Sequence, residues 1–143
     1  MLRGILSVHV VSTCCLLGLI WFVQLVHYPL LGRVGSPSFA EYEVEHVTRT
    51  GWIAAPLMLL ELGSLLGLLW LRPPGVPATW LWLNLALLGI IWVSTFLVQV
   101  PCHNALTSGF DPVVHQRLVS SNWIRTVGWS VRGLLVFWLL NRP

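Results

Sequence analysis

His27, Glu43, His46, His103 and His115 are the side chains best suited to proton transfer or to holding a cofactor, and all five fall in two stretches, 27–51 and 101–122, between apolar runs. Glu43 and His46 stand at i, i+3, the Glu-x-x-His spacing that presents a carboxylate and an imidazole to one metal in di-iron bundles. Only one such motif occurs, so a di-iron site is short of ligands, while a single iron or copper held by two or three His and a carboxylate stays feasible. Paired imidazoles from facing helices could instead ligate haem without a covalent link, since no Cys-x-x-Cys-His is present. The plainer alternative is that histidines at a headgroup boundary bond only to water, lipid phosphate or backbone carbonyls. His9, near the other end of the first run, reads as a packing residue.

Amide and guanidinium groups accompany these histidines. Gln24 and His27 share a helical face at i, i+3, and Thr95, Gln99 and His103 follow at i, i+4 and i+8, so two helices end in a polar stripe. With Asn104 and Arg125 these residues outline a polar pocket. Glu61 and Arg132 each lie about nine residues inside an apolar run, roughly 13 Å deep at 1.5 Å per residue. A lone charge at that depth costs at least about 2.5–3.5 kcal/mol, so the two are expected to pair. The pair serves either as a fixed register pin or as an anchor for a ligand head group.

The elements that must position these groups are apolar runs of about 4–26, 52–71, 79–100 and 123–140, each close to the roughly 20 residues that cross a 30 Å hydrocarbon core. Fifty-six per cent hydrophobic residues, 9% charged residues, nine Trp and no Lys agree with lipid as the solvent. Backbone groups in lipid must be satisfied within their own segment, which makes the runs helices. The expected fold is one all-α transmembrane domain, 1–143, an integral membrane four-helix bundle. The first run is expected to be retained as an anchor, because no small-residue cleavage pattern precedes 24–29. Tyr28-Pro29 and Pro101 should end the first and third spans, 72–77 should form a tight turn, and 38–48 should form a short interfacial helix.

Four crossings put 27–51 and 101–122 on one face, called here the site face. Trp52 and Trp123 should mark its interface, and Trp70, Trp80, Trp82 and Trp138 the opposite one. Arginines near the span ends are evenly divided, with Arg33, Arg49, Arg117 and Arg125 against Arg3, Arg72, Arg142 and the terminal amine. The short termini tip the choice towards a site face outside, in a bacterial inner membrane. Cys14, Cys15 and Cys102 make an odd set without Cys-x-x-Cys, so no disulfide framework is expected. Val23-Gln24 before His27 matches Val98-Gln99 before His103, and Arg49-Thr50-Gly51-Trp52 matches Arg125-Thr126-Val127-Gly128-Trp129, as a parallel two-helix repeat would. The net charge of +3 is too dispersed for nucleic acid. P-loop, dinucleotide and hydrolase signatures do not occur.

Residues 99–106, Gln-Val-Pro-Cys-His-Asn-Ala-Leu, with Leu118, Asn122-Trp123-Ile124-Arg125-Thr126 and Trp129-Ser130-Val131-Arg132, resemble the anthrone-oxygenase-like family of small four-helix membrane proteins. Pro29 and Pro56-Leu57-Met58 add to the likeness in the first half. The resemblance implies four spans and, for some members, cofactor-light oxygenation of polycyclic phenols, with Asn104, Trp123, Arg125 and Arg132 as matching polar residues. His103 ahead of Asn104 and the histidine-bearing stretch 27–51 depart from that pattern. Three functions remain open: a metal- or haem-binding redox or oxygenase-like protein acting on a small hydrophobic compound, an accessory subunit held against other membrane subunits or a second copy, and a lipid or quinone carrier centred on Glu61 and Arg132.

Overall fold

A computed structural model describes residues 1–141, apart from the side chain of Ser36; Arg142, counted above with the opposite face, lies outside them. Four antiparallel helices carry nearly all of it: α1 (Leu2–Leu31), α2 (Ser36–Leu71), α3 (Ala78–Leu106) and α4 (Pro112–Leu140). No strand occurs among the described residues. Around the bundle the order is α2, α1, α4, α3, with α2 and α3 making the loosest seam.

Lipid as solvent explains which way the side chains face. Leu59, Leu97, Leu134 and Phe137 are each more than 60% exposed, whereas the buried set includes Glu43, Glu61, Asn84, Gln24, Gln99 and Arg132. That is the reverse of a water-soluble protein, in which apolar surface of this extent would be covered. α1, α2 and α3 are long and apolar enough to cross a membrane. α4, expected as a fourth span, falls outside that set. Arg117, Arg125 and Arg132 lower its hydropathy, yet Arg132 and Asn122 are wholly buried against the other helices. At 29 residues it is about 44 Å long and packs beside α1 and α3.

The helices are also longer than the apolar runs. Residues 38–48 are not a separate interfacial helix but the first turns of α2, whose 36 residues extend about 54 Å and must project well past a 30 Å core. Pro101 does not close α3, nor does Tyr28-Pro29 end α1. In both helices the turn just before the proline widens to a π-helix, Val23–His27 and Thr95–Gln99. The N–H groups of Tyr28 and Val100 bond to the carbonyls of Val23 and Thr95, five residues back. A proline lacks the N–H an α-turn would need and its ring crowds the carbonyl four residues earlier, so a wider turn lets the chain pass it. The halves share this device, but Val23-Gln24 opens the first π-turn while Val98-Gln99 closes the second, so the sequence likeness and the structural likeness fall in different registers.

Three apolar layers fill the interior. Val23, Tyr28, Leu31, Phe39, Cys102, Leu106 and Leu118 form the site-face layer. Leu16, Ile20, Met58, Ile91 and Trp129 form the middle, and Leu65, Leu68, Trp80, Leu81, Leu88 and Val136 the far end. Trp52, Trp70, Trp82, Trp123 and Trp138 are exposed as interface markers should be. Trp80 is not: it is 3% exposed and donates from Nε1 to Leu135 O at 3.0 Å. Close helix approach depends on Gly128 and Gly133, where an added Cβ would lie 2.8 Å from Ile91 Cγ1 and 2.6 Å from Leu17 Cδ2. At the far face Arg72 (φ 43°) and Gly75 (φ 83°) turn the 72–77 connection. At the site face the Asp111 carboxylate caps α4 by accepting from Val113 N at 2.8 Å and Val114 N at 3.1 Å.

Candidate functional site

Histidines from three helices meet at the site face. The His27 and His46 rings stack with centroids 4.0 Å apart at 20°, and the His46 and His103 centroids are 5.4 Å apart. Glu43, one turn before His46 on α2 and fully buried, places Oε1 2.5 Å from His103 Nδ1. On the other side of that ring the Tyr28 hydroxyl is 3.1 Å from Nε2. The result is a carboxylate–imidazole–phenol chain drawn from α2, α3 and α1. A carboxylate on Nδ1 favours the tautomer that leaves Nε2 as the acceptor. His46 Nδ1 lies 3.1 Å from Thr50 Oγ1. His27 Nε2 and Glu43 Oε2 are buried without a partner.

His115 is not in this cluster. Its Nε2 lies 2.9 Å from Tyr28 O and its ring packs on Phe110 and against Gly32, so it ties α4 to the end of α1. The expected common face of Gln24 and His27 is also split. The π-turn sends Gln24 towards α4, where Oε1 accepts from Asn122 Nδ2 at 2.8 Å and Thr126 Oγ1 at 3.4 Å, and sends His27 towards α2. The stripe on α3 holds together, with Thr95, Gln99 and His103 lining a single cavity. Gln99 accepts from Ser94 Oγ and donates to Ser121 Oγ, each at 3.0 Å.

That cavity holds about 160 Å³, near the size of an apolar void that takes a single aromatic ring. Leu16, Leu19, Ile20, Met58 and Trp129 line its deep, apolar end. Its shallow end carries Tyr28, His46, Thr50, Thr95, Gln99, His103, Asn104 and Arg125. Val47, Gly51 and Ala54 of α2 and Val100 and Asn104 of α3 also line it, and Gly51, Val100 and Asn104 are exposed, so the cavity opens sideways through the loose seam. Arg125 reaches across its wall, donating from Nε to Asn122 Oδ1 at 2.8 Å and from Nη1 to Thr95 Oγ1 at 3.4 Å. The Tyr28 hydroxyl lies within its reach as well.

Below the cavity Glu61 and Arg132 form the expected pair, both fully buried, with Nη2 2.9 Å and Nε 3.2 Å from Glu61 Oε1. Thr13 Oγ1 donates to the same oxygen at 2.8 Å, Trp129 Nε1 donates to Oε2 at 3.2 Å, and Arg132 Nη1 donates to Asn84 O at 2.5 Å. Each Glu61 oxygen is taken by protein donors, which makes the pair a pin between α1, α2, α3 and α4. Trp129, the cavity floor, is held from beneath by it. His9 is buried one layer further down, 3.2 Å from Ser64 Oγ.

As a ligand set the histidines are poorly arranged. Both His103 nitrogens are engaged, and two rings stacked at 4.0 Å leave no space for a tetrapyrrole plane between them. Among the described residues no three His, Cys, Asp or Glu side chains are disposed to hold a metal ion. Tyr28, Asn122 and Trp129 join the site without the sequence marking them for it, whereas Thr95 lies in the stripe expected on α3. Tyr28 read as a helix-end residue, and only its place beside His27 could have flagged it.

The fold and site define an all-α helical membrane bundle with a lipid-side cavity. Comparison with protein-family models, curated proteins and solved structures gave no match.

Proposed function

We propose that this chain takes a small hydrophobic compound from the membrane into the α2–α3 cavity and accepts a proton from its polar head at His103. The observation that carries this reading is the Glu43–His103–Tyr28 chain at the polar end of an otherwise apolar cavity. A ligand hydroxyl displaces the Tyr28 hydroxyl from His103 Nε2. Its proton moves to Nε2, the electrons of the O–H bond stay on the ligand oxygen, and the imidazolium is balanced by the Glu43 carboxylate. Closed packing around Met58 and Trp129 keeps water from the apolar end.

The family resemblance would make the compound a phenol and this proton transfer the first step of its oxygenation. A polycyclic phenol would overfill 160 Å³ and extend through the lateral opening. Titration of 4-nitrophenol into protein in mild detergent tests the reading, because its phenolate absorbs in the visible. Binding should saturate, Met58→Trp should abolish it by filling the cavity, and His103→Gln should lower the ionised fraction of bound probe at fixed pH. Saturable binding untouched by Met58→Trp, or an ionised fraction indifferent to His103→Gln, overturns it. Elemental analysis and an absorption spectrum of the same preparation would detect iron, copper or haem and return the histidines to ligation.

A further inference from the structure

α4 carries two inward-facing arginines seven residues apart, on one helical face and about 10 Å from one another along the axis. Arg132 has the Glu61 carboxylate. Arg125 has Asn122, Thr95 and Tyr28, all neutral, and among the described residues it forms no ion pair. It does not turn outward to the headgroups as a long basic side chain near a span end usually does. It is partly buried, turned across the cavity wall, and lines the space where a ligand head would sit. The other carboxylate of the site, Glu43, is bonded to His103 on a different side of the cavity and does not line it.

An ionisable group within a span normally finds a counter-charge in the bundle or in what the bundle binds. Resting on the cavity reading above, we infer that the ligand is held as an anion: an apolar ring or short chain bearing one charged oxygen group, carboxylate or phenolate, opposite Arg125. Thr95 and Asn122 fix the guanidinium from behind. Asn104 and Gln99 line the same end. The apolar body then points down to Leu16, Met58 and Trp129. This also gives the proton step a purpose, since removing a ligand proton at His103 creates the charge that Arg125 receives.

A neutral lipid tail offers nothing to Arg125, but a lipid phosphate shares the required chemistry, so the test separates the two sources. 4-Ethylbenzoate and its neutral isostere 4-ethylbenzamide are titrated into the full chain in nanodiscs of zwitterionic lipid at pH 8, with intrinsic tryptophan fluorescence as readout. Because a hydrogen bond to a charged group outweighs a neutral one, the benzoate should bind about 10- to 100-fold more tightly. Arg125→Gln should remove that preference, so that the two probes bind with similar affinity. Arg125→Lys should keep part of the preference. Adding phosphatidylglycerol should weaken benzoate binding if a lipid phosphate is the resident anion and leave it unchanged if a free amphiphile is; either result supports the inference. Equal binding of the two probes by the unmodified chain, with Met58→Trp abolishing both, overturns the inference and leaves the cavity reading intact. Binding of neither probe, or binding that Met58→Trp does not affect, overturns both.

Discussion

Two polar regions share α4 and differ in how completely they are closed. Around Arg132 the charges meet within the chain: Glu61 takes Arg132, Thr13 and Trp129, and Asn84 O takes a further guanidinium N–H, while Asn84 Oδ1 is left buried without a hydrogen-bond partner. Around Arg125, two turns nearer the site face, the acceptors are neutral and a cavity adjoins. Lipid punishes unpaired charge in both places. A region whose charges pair within the chain reads as architecture, and the proposed ligand sits beside the region whose arginine has only neutral partners. Trp129 joins them, with its indole N–H on Glu61 and its ring forming the cavity floor.

The largest effect that could break this contrast is on stability. Arg132→Gln strands the buried Glu61 carboxylate, and breaking a buried pair from one side costs about 3–5 kcal/mol. Glu61→Gln together with Arg132→Gln should cost less than either alone, because no net charge is left behind. Reversible unfolding in mixed detergent checks the order of the three variants; a double variant worse than both singles would mean that the pair is not a closed unit.

Next in size is Trp129→Phe, which removes the donor to Glu61 Oε2 and trims the indole of the cavity floor to a single ring. Leaving one buried acceptor open costs about 1–3 kcal/mol. Since the floor of the cavity loses its tether, affinity for 4-nitrophenol should fall as well. A stability loss with unchanged affinity would separate the two regions more sharply than the structure does.

Much of the architecture was legible because lipid imposes simple rules. Run length and composition located the helices, and equal depth in opposite helices was enough to pair Glu61 with Arg132. The site was legible only as a gathering of residues on one face. Its directions depend on the two π-turns, and a Pro two residues past His27 or Gln99 reads in sequence as a stop signal, not as a widened turn that lets the helix continue. Hence Gln24 and His27, which share a face on ideal helical spacing, point to different neighbours. Tyr28 is missed for the same reason, and Trp80, at the expected end of α3, turns inward because Leu135 O is there to accept its N–H. α4 shows the opposite limit: its arginines made it the least membrane-like run, although the bundle turns its polar groups inward.

Arg125→Gln should be far milder than Arg132→Gln. Its partners Asn122, Thr95 and Tyr28 are uncharged, so their loss leaves no stranded ion, and the change in unfolding free energy should stay within about 1 kcal/mol. A cost approaching that of Arg132→Gln would assign Arg125 to the scaffold and remove the distinction between the two regions.

The smallest expected change in stability comes from Tyr28→Phe. The hydroxyl meets His103 Nε2 at 3.1 Å, but that imidazole is 14% exposed and lines the cavity, so water can replace the lost partner. The net cost should be about 0.5 kcal/mol, the low end for a hydrogen bond whose partner can turn to water. Glu43 still holds Nδ1, and Nε2 is freed from a competing donor. The ionised fraction of bound 4-nitrophenol should therefore equal or exceed that of the unmodified chain. A fall to the level of His103→Gln would instead make the Tyr28 hydroxyl the group that meets the ligand, with His103 and Glu43 acting through it.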